Sequence, residues 1–235
     1  MIALYNTIFL EPTFNALIAL YNLVGDVGVA IVVLTVIVRL IIFPVTLKSI
    51  KSQKALQELQ PKLASLKEKY KNDRQGLAKA TMELYKQEKV NPASSCLPLL
   101  IQLPIFIALY QAMTIGLKNG GMELLYGFVS KPESIDAIAF GILDLAAASL
   151  PLAFLAGISQ FWQSKMLSFH KPPVKTQGSK DEAMLGMMNK QMLYVMPAMT
   201  VVIGASLPGG VILYWLVTNI LTVVQQYVFL RPRAK

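Results

Sequence analysis

The sequence predicts an all-α polytopic membrane protein with five transmembrane helices, a cytoplasmic helical hairpin and an N-terminal interfacial amphipathic helix. Three observations predict it. Of 235 residues, 54% are hydrophobic and only 15% charged, with mean hydropathy +0.52; a soluble domain carries about 25% charge. Apolar runs near 20 residues recur, and at ~1.5 Å rise per residue such a run crosses a ~30 Å hydrocarbon core. The basic residues are segregated. Residues 48–90 hold eleven Lys/Arg against five Asp/Glu, 164–190 hold five against two, and the tail after Leu230 holds three against none. The other connections carry Lys118 and Lys131 against Glu11, Asp26, Glu123, Glu133, Asp136 and Asp144. Positive loops stay cytoplasmic, so the N-terminus is expected outside, the C-terminus inside, and the span count odd.

Residues 1–24 come first. Phe14, Leu17, Ile18 and Tyr21 recur at helical spacing after a break at Glu11-Pro12, with Thr13 or Asn15 near the start. The pattern predicts an amphipathic segment on the outer surface; a short tether is the plainer reading. The first ten residues lack a basic region and a small-residue cleavage site, so no signal peptide is expected.

Span one, 27–47, is VGVAIVVLTVIVRLIIFPVTL, with Pro44 expected to end or kink it near the inner face. Arg39 lies inside it. A guanidinium at the centre of a span costs about 2.5–3.5 kcal/mol on insertion scales. Either Arg39 faces a wet hollow among the spans, or its stem snorkels to an inner surface about 12 Å away.

Residues 48–90 change character. Leu56, Leu59, Leu63, Leu66 and Tyr70 step by 3, 4, 3 and 4, an apolar helical seam. Asn72-Asp73 signals a turn, and Leu77, Ala80, Thr81, Leu84 and Tyr85 mark a shorter helix. Pro61 should bend the first helix or start a new turn. Facing seams make a cytoplasmic hairpin, either a purely structural pair or, given its charge, a contact for anionic lipids or a partner.

Span two, 96–117, carries Pro98 and Pro104, which membrane helices tolerate, and the polar Gln102 and Gln111. In the outer connection 118–147, the apolar stretch Ala137–Leu145 is interrupted by Asp144 and reads as interfacial. Span three, 149–167, carries Ser159, Gln160, Trp162 and Gln163. The polar loop 168–190 reads as mobile. Span four, 191–207, is short and leads to an outer turn at Pro208-Gly209-Gly210. Span five, 211–230, carries Tyr214, Trp215, Thr218, Asn219, Thr222, Gln225 and Gln226, and 231–235 form a short basic tail. No internal repeat of the transporter kind is visible.

Enzymatic chemistry finds little support. Cys96 is the only cysteine and His170 the only histidine, so neither a disulfide within the chain nor a metal cluster is expected. No Gly-rich phosphate loop and no Ser–His or paired-Asp set can be assembled. The expectation is a protein that is not an enzyme and has no metal or other cofactor.

What can be assembled is a set of polar side chains inside spans: Arg39, Thr35, Gln102, Ser159, Gln160, Gln163, Thr218 and Asn219. Each alone suits an interhelical hydrogen bond. Together, with an arginine and no acid within the spans to match it, they suggest a hydrated hollow that lowers the cost of bringing a polar peptide into the bilayer. Arg39 would attract an acidic segment. Tyr214 and Trp215 offer an adaptable apolar face for a sliding helix, or else act as interfacial anchors.

The chain resembles the YidC/Oxa1/Alb3 membrane protein insertases. The matching stretches are GDVGVAIVVLTVIVRLIIFPVT, LQPKLASLKEKYKND, ELYKQEKVNPASSCLPLLIQLPIFIALY, LAGISQFWQSKM and LPGGVILYWLVTNILTVVQQ. They cover nearly all of 25–230 in the family's order, and their combination is specific although no single piece is. The resemblance implies a five-helix core, 25–230, with a groove open to cytoplasm and lipid but closed outside. It implies Arg39 as the groove arginine, 48–90 as the mobile element that receives substrate, and Gln163 or Gln160, with Gln163 favoured, as the groove glutamine. It implies a short bacterial form in the plasma (inner) membrane, without the large periplasmic domain of Gram-negative members. A nascent segment would slide past Phe106, Tyr214 and Trp215 without nucleotide hydrolysis. Implied partners are nascent membrane proteins, the translating ribosome and the Sec translocon, with anionic lipids near 48–90. The rival readings are a small transporter or channel using Arg39 as an anion site, and a structural assembly subunit.

Overall fold

The structure, a computed structural model, describes residues 2–91, 94, 97–116, 120–167 and 191–230. Cys96, His170, the whole loop 168–190 and the tail 231–235 lie outside the described residues.

Helix dominates, as expected. α1 (Ile2–Tyr5), a π-helical turn (Asn6–Leu10) and α2 (Glu11–Val24) follow without interruption. The expected break at Glu11-Pro12 does not occur. Pro12 falls in the first turn of α2, where its fixed φ suits a helix and its missing N–H costs little. Gly25 closes α2 at φ 74°, the left-handed conformation that glycine adopts without strain.

α3 (Val27–Lys69) starts at Asp26, whose side chain accepts from the Val29 N–H at 2.9 Å. At 43 residues it is about 64 Å long, twice a hydrocarbon core. Pro44 does not end the helix, which runs on through both Pro44 and Pro61, past the stretch 27–47 read as span one. Both rings face outward, each removes only one ladder bond, and the Leu-, Lys- and Gln-rich sequence between them favours helix. α4 (Arg74–Gln87) is capped by Asp73, which accepts from Gly76 N–H at 2.8 Å. It turns back along α3, and Lys62 pairs with Glu88. Leu59 and Leu63 are the buried members of the α3 seam, while α4 buries no residue.

α5 (Leu97–Gly116) leads to an irregular connection with an antiparallel ribbon of β1 (Ile138–Ala139) and β2 (Leu143–Asp144). The ribbon sits on the start of α3. Phe140 N–H donates to Asp26 Oδ2 at 2.6 Å, and Ala139 and Phe140 leave no room for a β-carbon at Gly28. α6 (Leu150–Leu167), a π-helical turn (Gln191–Val195) running into α7 (Met196–Gly204), and α8 (Gly209–Leu230) complete the fold. Gly209 N–H donates to Ala147 O at 2.8 Å and Gly210 N–H to Leu145 O at 3.0 Å. These bonds stitch the lead-in to α8 onto the lead-in to α6, so both helices start at one end of the bundle. α3 packs on α8, and α6 on α7 and α8.

Among the described residues, three helices are long and apolar enough to cross a membrane: Ala3–Val24, Val27–Lys69 and Gly209–Phe229. Leu100–Gly116 and Gln191–Gly204 are shorter apolar helices. Ala3–Val24 joins the first set although its polar residues bind the irregular connection. Asn15 donates to Leu124 O at 2.8 Å and accepts from Tyr126 N–H at 2.7 Å, and Asn22 donates to Ser130 O at 2.6 Å.

Buried side chains are not alike along the bundle. Phe14 and Ile18 of α2, Val27 to Leu34 of α3, Leu109 and Met113 of α5, Ala139, Leu145, and Val211 to Leu213 of α8 form one apolar cluster at the ribbon end. Further from the ribbon, the buried positions of α3 and α8 turn largely polar: Thr35, Thr46, Ser49, Thr218, Asn219 and Gln226.

Candidate functional site

The polar zone begins where the apolar cluster ends. α3 and α8 both start at the ribbon end and run side by side. On α8, Thr218, Thr222 and Gln226 are spaced by four and so share one face. Arg39 of α3 reaches that face. Its Nη2 donates to Thr218 O at 2.9 Å and to Thr222 Oγ1 at 2.5 Å. The guanidinium is therefore turned into the seam between the helices rather than back along its own helix. Its Nε is buried without a hydrogen-bond partner among the described residues, and no carboxylate there pairs with it.

One turn nearer the ribbon, the Gln102 side-chain amide of α5 donates to the Tyr214 hydroxyl of α8. Tyr214 lies four residues before Thr218 on α8, one turn from the Arg39 contact. Phe106 packs on Tyr214 with ring centroids 6.4 Å apart and meets Trp215 edge-on at 5.6 Å. Phe106, Tyr214 and Trp215 thus form one aromatic group beside Arg39.

The remaining sequence-derived residues divide. Thr35 is fully buried and gives its hydroxyl to Ile31 O at 2.6 Å, within its own helix. Asn219 and Ser159 bind one another. The Asn219 amide donates to Ser159 Oγ at 3.1 Å and Ala156 O at 3.3 Å, joining α6 to a different face of α8 from the one Arg39 touches. Gln163 lies one turn beyond Ser159 on the same α6 face, and its buried Oε1 has no partner among the described residues. Gln160 is partly exposed and binds none of the Arg39 group.

Thr222 and Gln226 were not placed in the polar set by sequence. The four-residue step from Thr218 was the signal that marks them. Gln226 is 1% exposed, with its Oε1 unpartnered among the described residues. Among those residues no group of three or more His, Cys, Asp or Glu could hold a metal ion.

Comparison with known proteins places the chain in a family. Residues 19–235 match the family model described as 60Kd inner membrane protein. A membrane protein insertase YidC of Fusobacterium nucleatum is 36% identical over 211 residues, 90% of this chain and 89% of that one. The chain belongs to the YidC family. YidC insertases of Pelobacter propionicus and Geobacter sulfurreducens are 39% and 36% identical over 94% and 92% of the chain. The chain spans only 38% and 36% of their lengths. Among YidC structures, a crystal structure of an active YidC insertase with its first transmembrane domain resolved matches with TM-score 0.60 and 25% identity. That match covers 95% of this chain and 46% of that one. YidC membership and the apolar helices make this an integral inner-membrane protein.

Proposed function

We propose that this chain inserts nascent membrane proteins into the bilayer. The observation that carries the reading is the change along the bundle from an apolar cluster to a polar seam holding Arg39. An apolar seal at the ribbon end blocks solutes, while buried polar groups beyond it admit a polar peptide partway into the membrane. The family relatives named as insertases support the same reading.

The topology we propose has five spans, 27–47, 96–117, 149–167, 191–207 and 211–230, with the N-terminus outside and the C-terminus cytoplasmic. Residues 1–24 lie on the outer surface, held there by Asn15 and Asn22. The hairpin 48–90 receives the substrate on the cytoplasmic side, near anionic lipid. The translating ribosome and the Sec translocon are its proposed partners.

In the cycle, a hydrophobic segment of the nascent chain slides along α5 and α8 over Phe106, Tyr214 and Trp215. Its short polar tail enters the seam beside Arg39, together with groups such as Gln163. Partition of the hydrophobic segment into lipid, worth about 25 cal/mol per Å² buried, drives the tail outward without nucleotide hydrolysis.

Liposomes holding only this chain test the proposal. A short single-span substrate should gain a protease-protected outer tail above the level of empty liposomes. Sulfate flux with no substrate present, and no gain in protection, would favour an anion transporter instead.

A further inference from the structure

We propose that Gln226 and Arg39 together read the main chain of the inserting tail, as an acceptor and a donor for its peptide groups. The inference deepens the insertase reading and rests on it.

The argument starts from what is left over in the seam. Arg39 Nη2 is committed to α8, through Thr218 O and Thr222 Oγ1. Arg39 Nε is buried and unused among the described residues. Gln226 lies one turn beyond Thr222 on the same face, about 6 Å along α8. It is 1% exposed, and its Oε1 is buried and unused among the described residues, as is Thr218 Oγ1, whose hydroxyl can donate or accept. A buried polar group without a partner is costly, so such groups in a native fold point to a ligand or water that satisfies them.

Arg39 Nε and Gln226 Oε1 differ in sign. One is an N–H donor and the other a carbonyl acceptor. A carboxylate side chain can accept from Arg39 Nε but has no hydrogen to give Gln226 Oε1. A peptide unit carries one carbonyl and one N–H, and satisfies both. An entering tail is unfolded, so its peptide groups arrive unpaired and, away from bulk water, need partners. Main-chain recognition is independent of side chains, which suits a site that must pass tails of differing sequence. The net positive charge of Arg39 still favours an acidic tail, whereas Gln226 adds a preference for any tail with free N–H groups.

The test uses synthetic single-span substrates whose tails are either glycine-rich or the same tail with sarcosine at each glycine. Sarcosine replaces N–H by N–CH₃ and keeps the carbonyl. Binding and protease protection are both read in liposomes holding the full chain, wild type and Gln226→Met. The wild type should bind the glycine tail about threefold more tightly than the sarcosine tail, the effect of a net neutral hydrogen bond. Gln226→Met should bring that ratio near one by weakening the glycine tail alone. A wild-type ratio of one would mean that the seam groups bind water only, and would overturn the proposal. A ratio unchanged in Gln226→Met would overturn it too. If neither tail becomes protected while the binding ratio holds, the insertase reading fails and main-chain recognition stands.

Discussion

The Arg39 guanidinium donates to the Thr222 hydroxyl at 2.5 Å, joining the first third of α3 to the second half of α8. The same nitrogen also reaches Thr218 O at 2.9 Å. A charged group in the seam is held by two polar atoms of one neighbouring helix and left with unpaired capacity among the described residues. The bond is thus both a tie between helices and the means of orienting the charge.

Thr222→Val removes the hydroxyl and keeps the shape, leaving Thr218 O to hold the guanidinium. A hydrogen bond to a charged group contributes about 1.5–3 kcal/mol. The surviving carbonyl bond places the loss at the lower end. Thermal unfolding in nanodiscs should show a lower Tm, and insertion should suffer less than in Arg39→Ala. An unchanged Tm would mean that the Thr222 bond does not tie α3 to α8.

Tyr214→Phe removes the acceptor of the Gln102 amide but keeps the ring against Phe106. The expected cost is about 1 kcal/mol, that of an unpaired half-buried amide. Gln102→Leu combined with Tyr214→Phe should recover most of it, because both partners are then apolar. Additive losses in that double variant would contradict the pairing.

The clasp between Asn219 and Ser159 predicts a measurable coupling. Polar pairs between membrane helices average about 0.6 kcal/mol and reach about 1.7 kcal/mol. A double-mutant cycle of Asn219→Ala and Ser159→Ala should return a coupling in that range, since Asn219 also keeps Ala156 O. Zero coupling would show that the two side chains act independently.

Gly28 tests the seal at the ribbon end. A β-carbon there would fall 2.6 Å from the Ala139 methyl and 2.8 Å from the Phe140 ring. Gly28→Leu must lift the ribbon from α3, and overpacking of this kind costs about 1–3 kcal/mol. The variant should unfold earlier and leak small anions from loaded liposomes. Unchanged leakage with a lowered Tm would remove the ribbon from the seal.

Much of this architecture was legible because hydropathy reports on lipid directly. Helices Leu97–Gly116, Leu150–Leu167 and Gly209–Leu230 fall within two residues of the spans read from sequence. The end of the helix that begins as span one was not legible. Composition marks where a chain leaves lipid, whereas a helix ends only where its backbone bonds find other partners, and α3 meets no such point before Lys69. The ribbon was missed because two-residue strands carry no periodic pattern, and Ala137–Leu145 showed only that it was apolar. In the site, sequence placed polar residues at a depth but not around the helix. Thr35, Arg39, Thr218 and Asn219 all appeared as one set. Only packing shows that Arg39 meets Thr218, that Asn219 turns to α6, and that Thr35 bonds its own helix.

The most direct test of the account concerns the charge of Arg39 in the seam. The insertion rates of substrates differing only in tail charge would be compared for wild type and Arg39→Ala in liposomes holding this chain alone. The account predicts that Arg39→Ala slows acidic tails about tenfold more than neutral ones, equivalent to ~1.4 kcal/mol of lost attraction. Equal slowing of acidic and neutral tails would contradict it, because Arg39 would then be serving the fold of the seam and not the passage of the tail.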